Sequence, residues 1–146
     1  MAIQKQEFYE GAALYQLLRG SLAPVVVSYE APFFVLNGKI RIYLKYSTAK
    51  RSPWGFSFAA EEQAMLMAQR GAMGLFIGLV CGADGIATIS YDSYAKVAAL
   101  RDVALRISCR RNHREHFEVS GPDGVMPGKV APSEWTKLIQ GMGAVI

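Results

Sequence analysis

The sequence predicts an α/β (α+β) fold, a layered domain in which a central mixed β-sheet is flanked by helices. Leu75–Cys81 is an unbroken apolar run of strand length, which is typical of a strand covered on both faces. Segments with helical spacing of apolar residues precede and follow this run. With 146 residues, 51% of them hydrophobic, the chain suits one core. Residues 1–146 are therefore predicted to form a single domain, with 1–81 as its main part and 82–146 completing it.

The first elements are predicted from periodicity and turn residues. Apolar residues recur at helical spacing from about Gln4 to Leu18, which predicts an amphipathic helix. Pro24–Val27 has a β-branched run and predicts a short buried strand. Asn37-Gly38 is the dipeptide of a tight hairpin turn, so Phe33–Leu36 is predicted to pair with Lys39–Lys45.

The segment Ser47–Ser57 is predicted to be a loop because Ser52-Pro53 and Gly55 interrupt it. Ser57 is then a candidate N-cap for a helix from Ala59 to Gln69. The later predicted elements are strands at Leu75–Cys81 and Ile86–Ser90, a helix at Asp92–Leu100, a strand at Val103–Arg110, a hairpin of His116–Ser120 with Gly124–Val130, and a helix from Pro132 through Leu138. The tail Gly141–Ile146 is expected to be frayed or docked.

Two basic clusters stand out against a formal net charge of +4. The stretch from Lys39 to Arg51 contains five basic residues and no acid. The second cluster consists of Arg106, Arg110, Arg111, His113, Arg114 and His116, with Glu115 and Glu118 among them. Two basic patches on a nearly neutral chain predict a polyanionic partner. The alternative is that both are ordinary solvated faces and turns.

Three aromatic residues lie within or beside the first basic stretch, namely Tyr43, Tyr46 and Trp54. Aromatic rings between basic groups can stack on nucleic-acid bases, which favours a nucleic-acid partner. The competing interpretation is that the cluster of Trp54, Phe56 and Phe58 packs into the core.

The chain is expected to be a soluble, cytoplasmic protein with no membrane partner. Its N-terminus lacks the basic start and apolar run of a secretory signal, and no stretch approaches the length of a membrane-spanning helix. Cys81 and Cys109 lie in apolar, strand-like surroundings without metal-ligand spacing. They are predicted to be reduced core thiols, and a disulfide is the less favoured alternative.

The element order carries a family resemblance over roughly residues 4–81. A leading helix, a hairpin with a lysine ending its second strand, another helix and a central strand resemble the core of the restriction-endonuclease-like superfamily, the PD-(D/E)XK phosphodiesterases. In that family an acid near one strand and a Glu-X-Lys on the next bind Mg²⁺ and position the attacking water. Such sites use carboxylates because Mg²⁺ takes oxygen ligands.

The resemblance implies roles for particular residues. Lys45 matches the motif lysine and Glu10 matches the glutamate of the first helix, whereas Tyr43 stands where the family has an acid. A glutamate of the following helix, Glu61 or Glu62, would replace the missing ligand, although ordinary helix capping also explains both acids. The implied catalytic residues are Lys45, Glu10 and Glu62, and the implied metal ligands are Glu10, Glu30, Glu61 and Glu62. Mg²⁺ is the expected cofactor if the protein is catalytic, and otherwise none.

Three functions remain open from the sequence. The first is nucleic-acid binding on a nuclease-like, catalytically degenerate fold. The second is an active metal-dependent nuclease with a displaced acid. The third is a protein-interaction module or homodimer, with the basic residues serving solubility. The first is preferred, and the residues predicted to contact nucleic acid are Lys39, Arg41, Lys50, Arg51, Trp54, Arg110 and Arg111.

Overall fold

Four helices and nine strands are present in residues 2–71, 73–113 and 115–140, the part of the chain that the computed structural model describes. The helices are α1 (Lys5–Arg19), α2 (Ala60–Gln69), α3 (Tyr91–Val97) and α4 (Glu134–Gln140). The strands are β1 (Val27–Glu30), β2 (Phe33–Leu36), β3 (Ile40–Ser47), β4 (Trp54–Phe58), β5 (Gly74–Cys81), β6 (Gly85–Ser90), β7 (Leu105–Arg110), β8 (Glu118–Gly121) and β9 (Gly124–Val125).

A five-stranded mixed sheet has the order β1-β2-β3-β5-β6. All neighbours are antiparallel except β3 and β5, which run parallel. The predicted hairpin between β2 and β3 is confirmed, because Asn37 and Gly38 both have positive φ angles, 51° and 65°, as a two-residue hairpin turn of this kind requires. The five-stranded sheet is therefore mixed, as predicted.

The predicted mixed sheet is present, but β4, β7, β8 and β9 form a second, antiparallel sheet that was not predicted. The second half of the predicted loop Ser47–Ser57 is a strand, β4, whose residue Trp54 pairs with Cys109 and Ser57 with Arg106. Gly55, predicted to interrupt a loop, lies inside β4. The fold is α+β with two sheets.

Two hydrophobic cores lie on opposite faces of the five-stranded sheet. Alternate residues of β5, Ile77 and Leu79 among them, belong to a core shared with the second sheet, α2 and α3. Val80, on the other face, belongs to a core shared with α1 and α4. The predicted burial of β5 on both faces is confirmed, and Cys81 and Cys109 are both buried in the first core.

Trp135 joins α4 to α1 and to the five-stranded sheet. Its indole Nε1 donates a hydrogen bond to the Ala13 carbonyl at 2.9 Å, and the ring is almost fully buried. Gly78 gives the ring room, since a Cβ there would lie 3.2 Å from the Trp135 ring. Trp135 thus closes the layer of helices over the sheet.

Several predicted boundaries differ from the structure. The predicted strand Pro24–Val27 is wrong, since β1 begins at Val27. The N-cap of α2 is Ala59, and Glu62, not Ser57, satisfies its backbone N–H. The long hairpin predicted to reach Val130 is reduced to β8 and β9, with an isolated bridge between Phe117 and Val130. The tail Gly141–Ile146 and Arg114 lie outside the described residues.

None of the helices in residues 2–71, 73–113 and 115–140 combines the length and the hydrophobicity of a membrane-spanning segment.

Replacing Trp135 with alanine is expected to lower the free energy of unfolding by about 3–5 kcal/mol, since it empties a buried site and removes the hydrogen bond to Ala13. Urea denaturation followed by circular dichroism measures the loss. Leu22→Ala is the control, because Leu22 is fully exposed and its truncation should have little effect. Equal effects of the two changes would contradict the role given to Trp135.

Candidate functional site

Glu10, Lys45 and Glu62 line one cavity of about 460 Å³. Glu10 comes from α1, Lys45 from the end of β3 and Glu62 from the first turn of α2, so three elements meet there. Gly55 and Ser57 of β4 form part of its wall. The three residues for which the family resemblance implied catalysis therefore share one cavity, which is named the acid–lysine cavity below.

Glu62 is the most heavily bonded side chain of the acid–lysine cavity. Its Oε2 accepts hydrogen bonds from Lys45 Nζ at 2.8 Å and from the Tyr43 hydroxyl, while Oε1 accepts from the Ala59 N–H at 3.0 Å. Tyr43 and Lys45 lie on the same face of β3 because side chains alternate along a strand. The helix-capping interpretation of Glu62 is confirmed, and the same carboxylate also holds β3 to α2.

These contacts fix the charge states in the cavity. Burial acts to raise the pKa of Glu62, but the hydrogen bonds from Lys45, Tyr43 and Ala59 outweigh it and hold the pKa below its ordinary value of 4.5. Burial and the hydrogen bond to Glu62 raise the pKa of Tyr43 well above its ordinary value, so the phenol keeps its proton and donates. Lys45 also lies 4.9 Å from the centre of the Phe58 ring. The Lys45–Glu62 pair is thus ionised and mutually neutralised.

Glu10 has the opposite environment. Burial raises its pKa above 4.5, the hydrogen bond from Gln6 Nε2 at 2.6 Å lowers it, and the nearby charge of Glu7 raises it. The net direction is upward. The cavity therefore contains one carboxylate that favours ionisation and one that resists it.

The carboxylates do not form a magnesium site as they stand. Glu62 already accepts hydrogen bonds on both oxygens. Glu30 pairs with Arg41 at 3.4 Å, and Glu61 is exposed outside the cavity lining. Within the described ranges no group of three or more His, Cys, Asp or Glu side chains is placed to hold a metal ion. The predicted set of four acids is therefore not brought together, and only Glu10 and Glu62 share a cavity.

A second cavity, of about 480 Å³, joins the two basic segments of the sequence. It is lined by Lys50, Arg51, Ser52, Trp54, Asp84, Arg111, Asn112 and His113. Lys50 and Arg51 precede β4 and Arg111 follows β7, and the pairing of β4 with β7 brings them to the same place. Lys50, Arg51 and Arg111 and one carboxylate, Asp84, line this cavity, which gives a net charge of +2 from these four side chains. This site is named the basic cavity.

Arg111 is the anchored member of the basic cavity. Its Nη1 donates to Asp84 Oδ2 at 2.8 Å and its Nε to the Glu115 carbonyl at 2.6 Å. Its guanidinium carbon lies 4.9 Å from the centre of the Phe117 ring, and its backbone N–H donates to the Ser52 hydroxyl at 2.9 Å. Arg111 is consequently held in place, whereas Lys50 and Arg51 are exposed beside it.

The remaining residues predicted to contact nucleic acid lie elsewhere. Lys39 is at the β2–β3 turn, at the opposite end of β3 from Lys45. The Arg41 side chain is 12% exposed, paired with Glu30 and packed on the Phe33 ring. Arg110 is exposed on the outer face of the second sheet, opposite Glu118. Only Lys50, Arg51, Trp54 and Arg111 of the predicted set line the basic cavity.

Two of the three aromatic rings predicted to be available for base stacking, Trp54 and Tyr43, are buried. Trp54 is 3% exposed and its indole donates to the Ala49 carbonyl at 2.9 Å, so it packs into the core beneath the basic cavity. Tyr43 is buried against Glu62. Tyr46 stacks on Tyr9, with ring centres 4.9 Å apart. Core packing, the alternative interpretation for this cluster, is confirmed for Trp54.

Sequence reasoning missed three participants. Asp84 lies in the β5–β6 turn and pairs with Arg111 only because the two sheets pack together. Ser52 and Asn112 line the basic cavity from the ends of paired strands. The sequence contained no signal for these contacts, since all of them depend on the second sheet.

In comparisons with known proteins, the chain matched no family model, no curated protein and no solved structure. The resemblance to the restriction-endonuclease-like superfamily stays a prediction, carried by element order and by Lys45, Glu10 and Glu62.

Replacing Glu62 with glutamine is expected to lower the free energy of unfolding near pH 7 by about 1–2 kcal/mol, since charged hydrogen bonds are replaced by neutral ones. The pKa of Glu62 falls on folding. Its ionised form therefore stabilises the folded protein fully above about pH 4.5, and this contribution is lost as the pH falls through the lower pKa of the folded state. Denaturation at a series of pH values measures this. A difference from the parent protein that does not shrink on acidification would contradict the assignment.

Glu10→Gln is the matched comparison, because its effect on the free energy of unfolding is expected to have the opposite sign. The pKa of Glu10 rises on folding, so its ionised form is unfavourable, and stability is lost as the pH rises through the folded-state value. The glutamine variant should therefore be at least as stable as the parent near pH 7. Any gain in the free energy of unfolding should vanish below pH 4.5, where the Glu10 carboxyl of the parent protein is itself protonated.

Proposed function

We propose that this protein binds nucleic acid through the basic cavity. Its scaffold resembles the restriction-endonuclease-like core but serves binding and not cleavage. The observation that carries the proposal is that Lys50 and Arg51 line the same cavity as Arg111. Arg51 and Arg111 are 60 positions apart in the sequence. Their charge exceeds that of the one carboxylate in the lining, Asp84. An uncompensated concave group of cations favours a phosphate-bearing ligand.

The side chains of the basic cavity suit phosphate oxygens. Guanidinium groups donate in pairs to phosphate, and a lysine adds a mobile charge. Ser52 and Asn112 provide further polar groups in the lining. Because Trp54, Tyr43 and Tyr46 are engaged within the protein, the contacts expected here are to the phosphate backbone and not to the bases. We therefore expect binding with little dependence on base sequence and with a steep dependence on salt.

Replacing Lys50 and Arg51 together with alanine should weaken binding to oligonucleotides and flatten its salt dependence. Each lost phosphate contact is expected to reduce the slope of log affinity against log salt by roughly 0.7–0.9. Fluorescence anisotropy with labelled single-stranded and duplex oligonucleotides across a salt series measures both effects. Both residues are exposed and lie outside the cores, so the fold should be unaffected.

The charge-matched control is Lys5→Ala with Lys137→Ala, which also removes two positive charges but from α1 and α4, on the other side of the five-stranded sheet. This control should retain the slope of the parent protein. Equal loss in both double variants would indicate a diffuse net-charge effect and contradict the assignment to the basic cavity. Absence of binding to every oligonucleotide at low salt would overturn the proposed function itself.

Metal-dependent cleavage of nucleic acid is the second candidate, and the observation that favours it is the shared cavity of Glu10, Lys45 and Glu62. Each Glu62 oxygen already accepts a hydrogen bond, and within the described ranges no group of three His, Cys, Asp or Glu side chains is placed to hold a metal ion, so the donor set does not fit Mg²⁺ in this arrangement.

Incubation of the protein with duplex and single-stranded substrates and Mg²⁺ or Mn²⁺ is expected to give no cleavage. If cleavage is seen, the Lys45→Ala variant shows whether this protein causes it, since cleavage by a contaminating nuclease would not depend on Lys45. Metal-dependent cleavage that disappears in Lys45→Ala, with binding retained, would contradict the binding-only proposal and favour a nuclease. Self-association, the third function considered from the sequence, stays a prediction, supported by exposed apolar residues of α1 such as Phe8 and Tyr15.

A further inference from the structure

Arg106 lies flat across the outer face of the second sheet, over Gly55. It belongs to β7 and is opposite Ser57 of β4, and its guanidinium occupies the space that a side chain at position 55 would fill. Arg106 is exposed, and within the described ranges no hydrogen bond or ion pair to its guanidinium is present. Gly55 thus lets an unpaired cation rest on the sheet surface.

β4 connects the two cavities. Ser52 and Trp54 line the basic cavity, and Gly55 and Ser57 line the acid–lysine cavity. β4 rises roughly 3.3 Å per residue, so Trp54 and Ser57 lie about 10 Å apart along the strand. Arg106 pairs with Ser57 and its guanidinium lies over Gly55, so it continues the line of positive charge from the basic cavity along β4.

The surface beside Arg106 is open. Ser108 and Ser120 line a shallow hollow of about 460 Å³ together with Arg106, and Arg110 is exposed at the end of the same strand. Inward-facing neighbours such as Phe56 and Ile107 are buried, so the outer face of this part of the sheet carries small polar side chains, two arginines and one acid, Glu118, opposite Arg110. Short side chains permit a sugar–phosphate backbone to approach the sheet closely.

We propose that the outer face of β4 and β7 is the path of the nucleic-acid backbone as it leaves the basic cavity, with Arg106 as a phosphate contact positioned by Gly55. This inference rests on the proposed nucleic-acid binding and extends it to Arg106 and the outer face of β7, which line neither cavity. The ligand is a phosphodiester chain, because the contacts in the basic cavity and at Arg106 use separate phosphates. Binding should therefore need a chain of several nucleotides and not a single phosphate.

The test uses Arg106→Ala, Gly55→Ala and the double variant, with fluorescence anisotropy at low salt. Gly55 does not have a positive φ, so alanine fits the backbone and displaces only the flexible end of Arg106. Each single change is expected to weaken binding to a ten-nucleotide oligonucleotide about tenfold. The double variant should be no weaker than Arg106→Ala alone, because both changes remove the same contact. Single-stranded and duplex arms identify which form of nucleic acid supplies the backbone.

Gly11→Ala is the matched control, since a Cβ at this exposed α1 position meets nothing within 4 Å. It should bind like the parent protein. If Arg106→Ala binds with the affinity of the parent protein, the path across the sheet is overturned. If the double variant of Lys50→Ala and Arg51→Ala nevertheless loses binding, the basic cavity remains the binding site. Additive effects of Gly55→Ala and Arg106→Ala would overturn the positioning role of Gly55. A parent protein that binds no oligonucleotide would instead refute the proposed function.

Discussion

The parallel pairing of β3 with β5 is the constraint on which the rest of the structure depends. Two parallel strands cannot be joined by a tight turn, so the chain must cross from the end of one to the start of the other. Here the crossover contains both a strand, β4, and a helix, α2. The strand begins a second sheet, and the helix brings Glu62 back to Lys45 at the end of β3. Both cavities follow from this one connection.

The two cavities differ in how their charges are compensated. In the acid–lysine cavity Lys45 is paired with Glu62, and that carboxylate also caps α2 and accepts from Tyr43. These contacts hold elements together, which gives the cavity a structural role whatever its chemistry. In the basic cavity Asp84 balances Arg111, while Lys50 and Arg51 add charge with no carboxylate of the lining to balance them. Unbalanced charge in a concave surface is the feature expected of a binding site for an anion.

Local patterns in the sequence predicted local structure well. The Asn37-Gly38 turn, the apolar run of β5 and the helical spacing of α1 were sufficient for those elements, because each depends on neighbouring residues. The convergence of Lys45 with Glu62 followed the expected strand–helix order. The second sheet was not predictable in the same way, since β4 is five residues long and contains Gly55, and its partner β7 lies about 50 residues later. The error about Trp54 follows from that pairing.

Exposure was the other quantity that the sequence could not supply. Arg41 and Lys50 belong to the same acid-free stretch, yet Arg41 is packed on Phe33 while Lys50 is exposed at a cavity. Because side chains alternate along a strand, Arg41, Tyr43 and Lys45 share one face of β3. This alternation could not predict that this face would be covered by the second sheet and α2, which turns stacking residues into core residues.

We propose that nucleic acid contacts the surface formed where β4 meets β7. The most direct test is to map amide chemical-shift changes in ¹H–¹⁵N NMR spectra as an unlabelled oligonucleotide is added at low salt. We expect shifts concentrated in Lys50–Ser57 and in Arg106–His113, with α1 and α4 unaffected. Shifts confined to the exposed face of α1 around Phe8 and Tyr15, or spread evenly over the surface lysines, would contradict it.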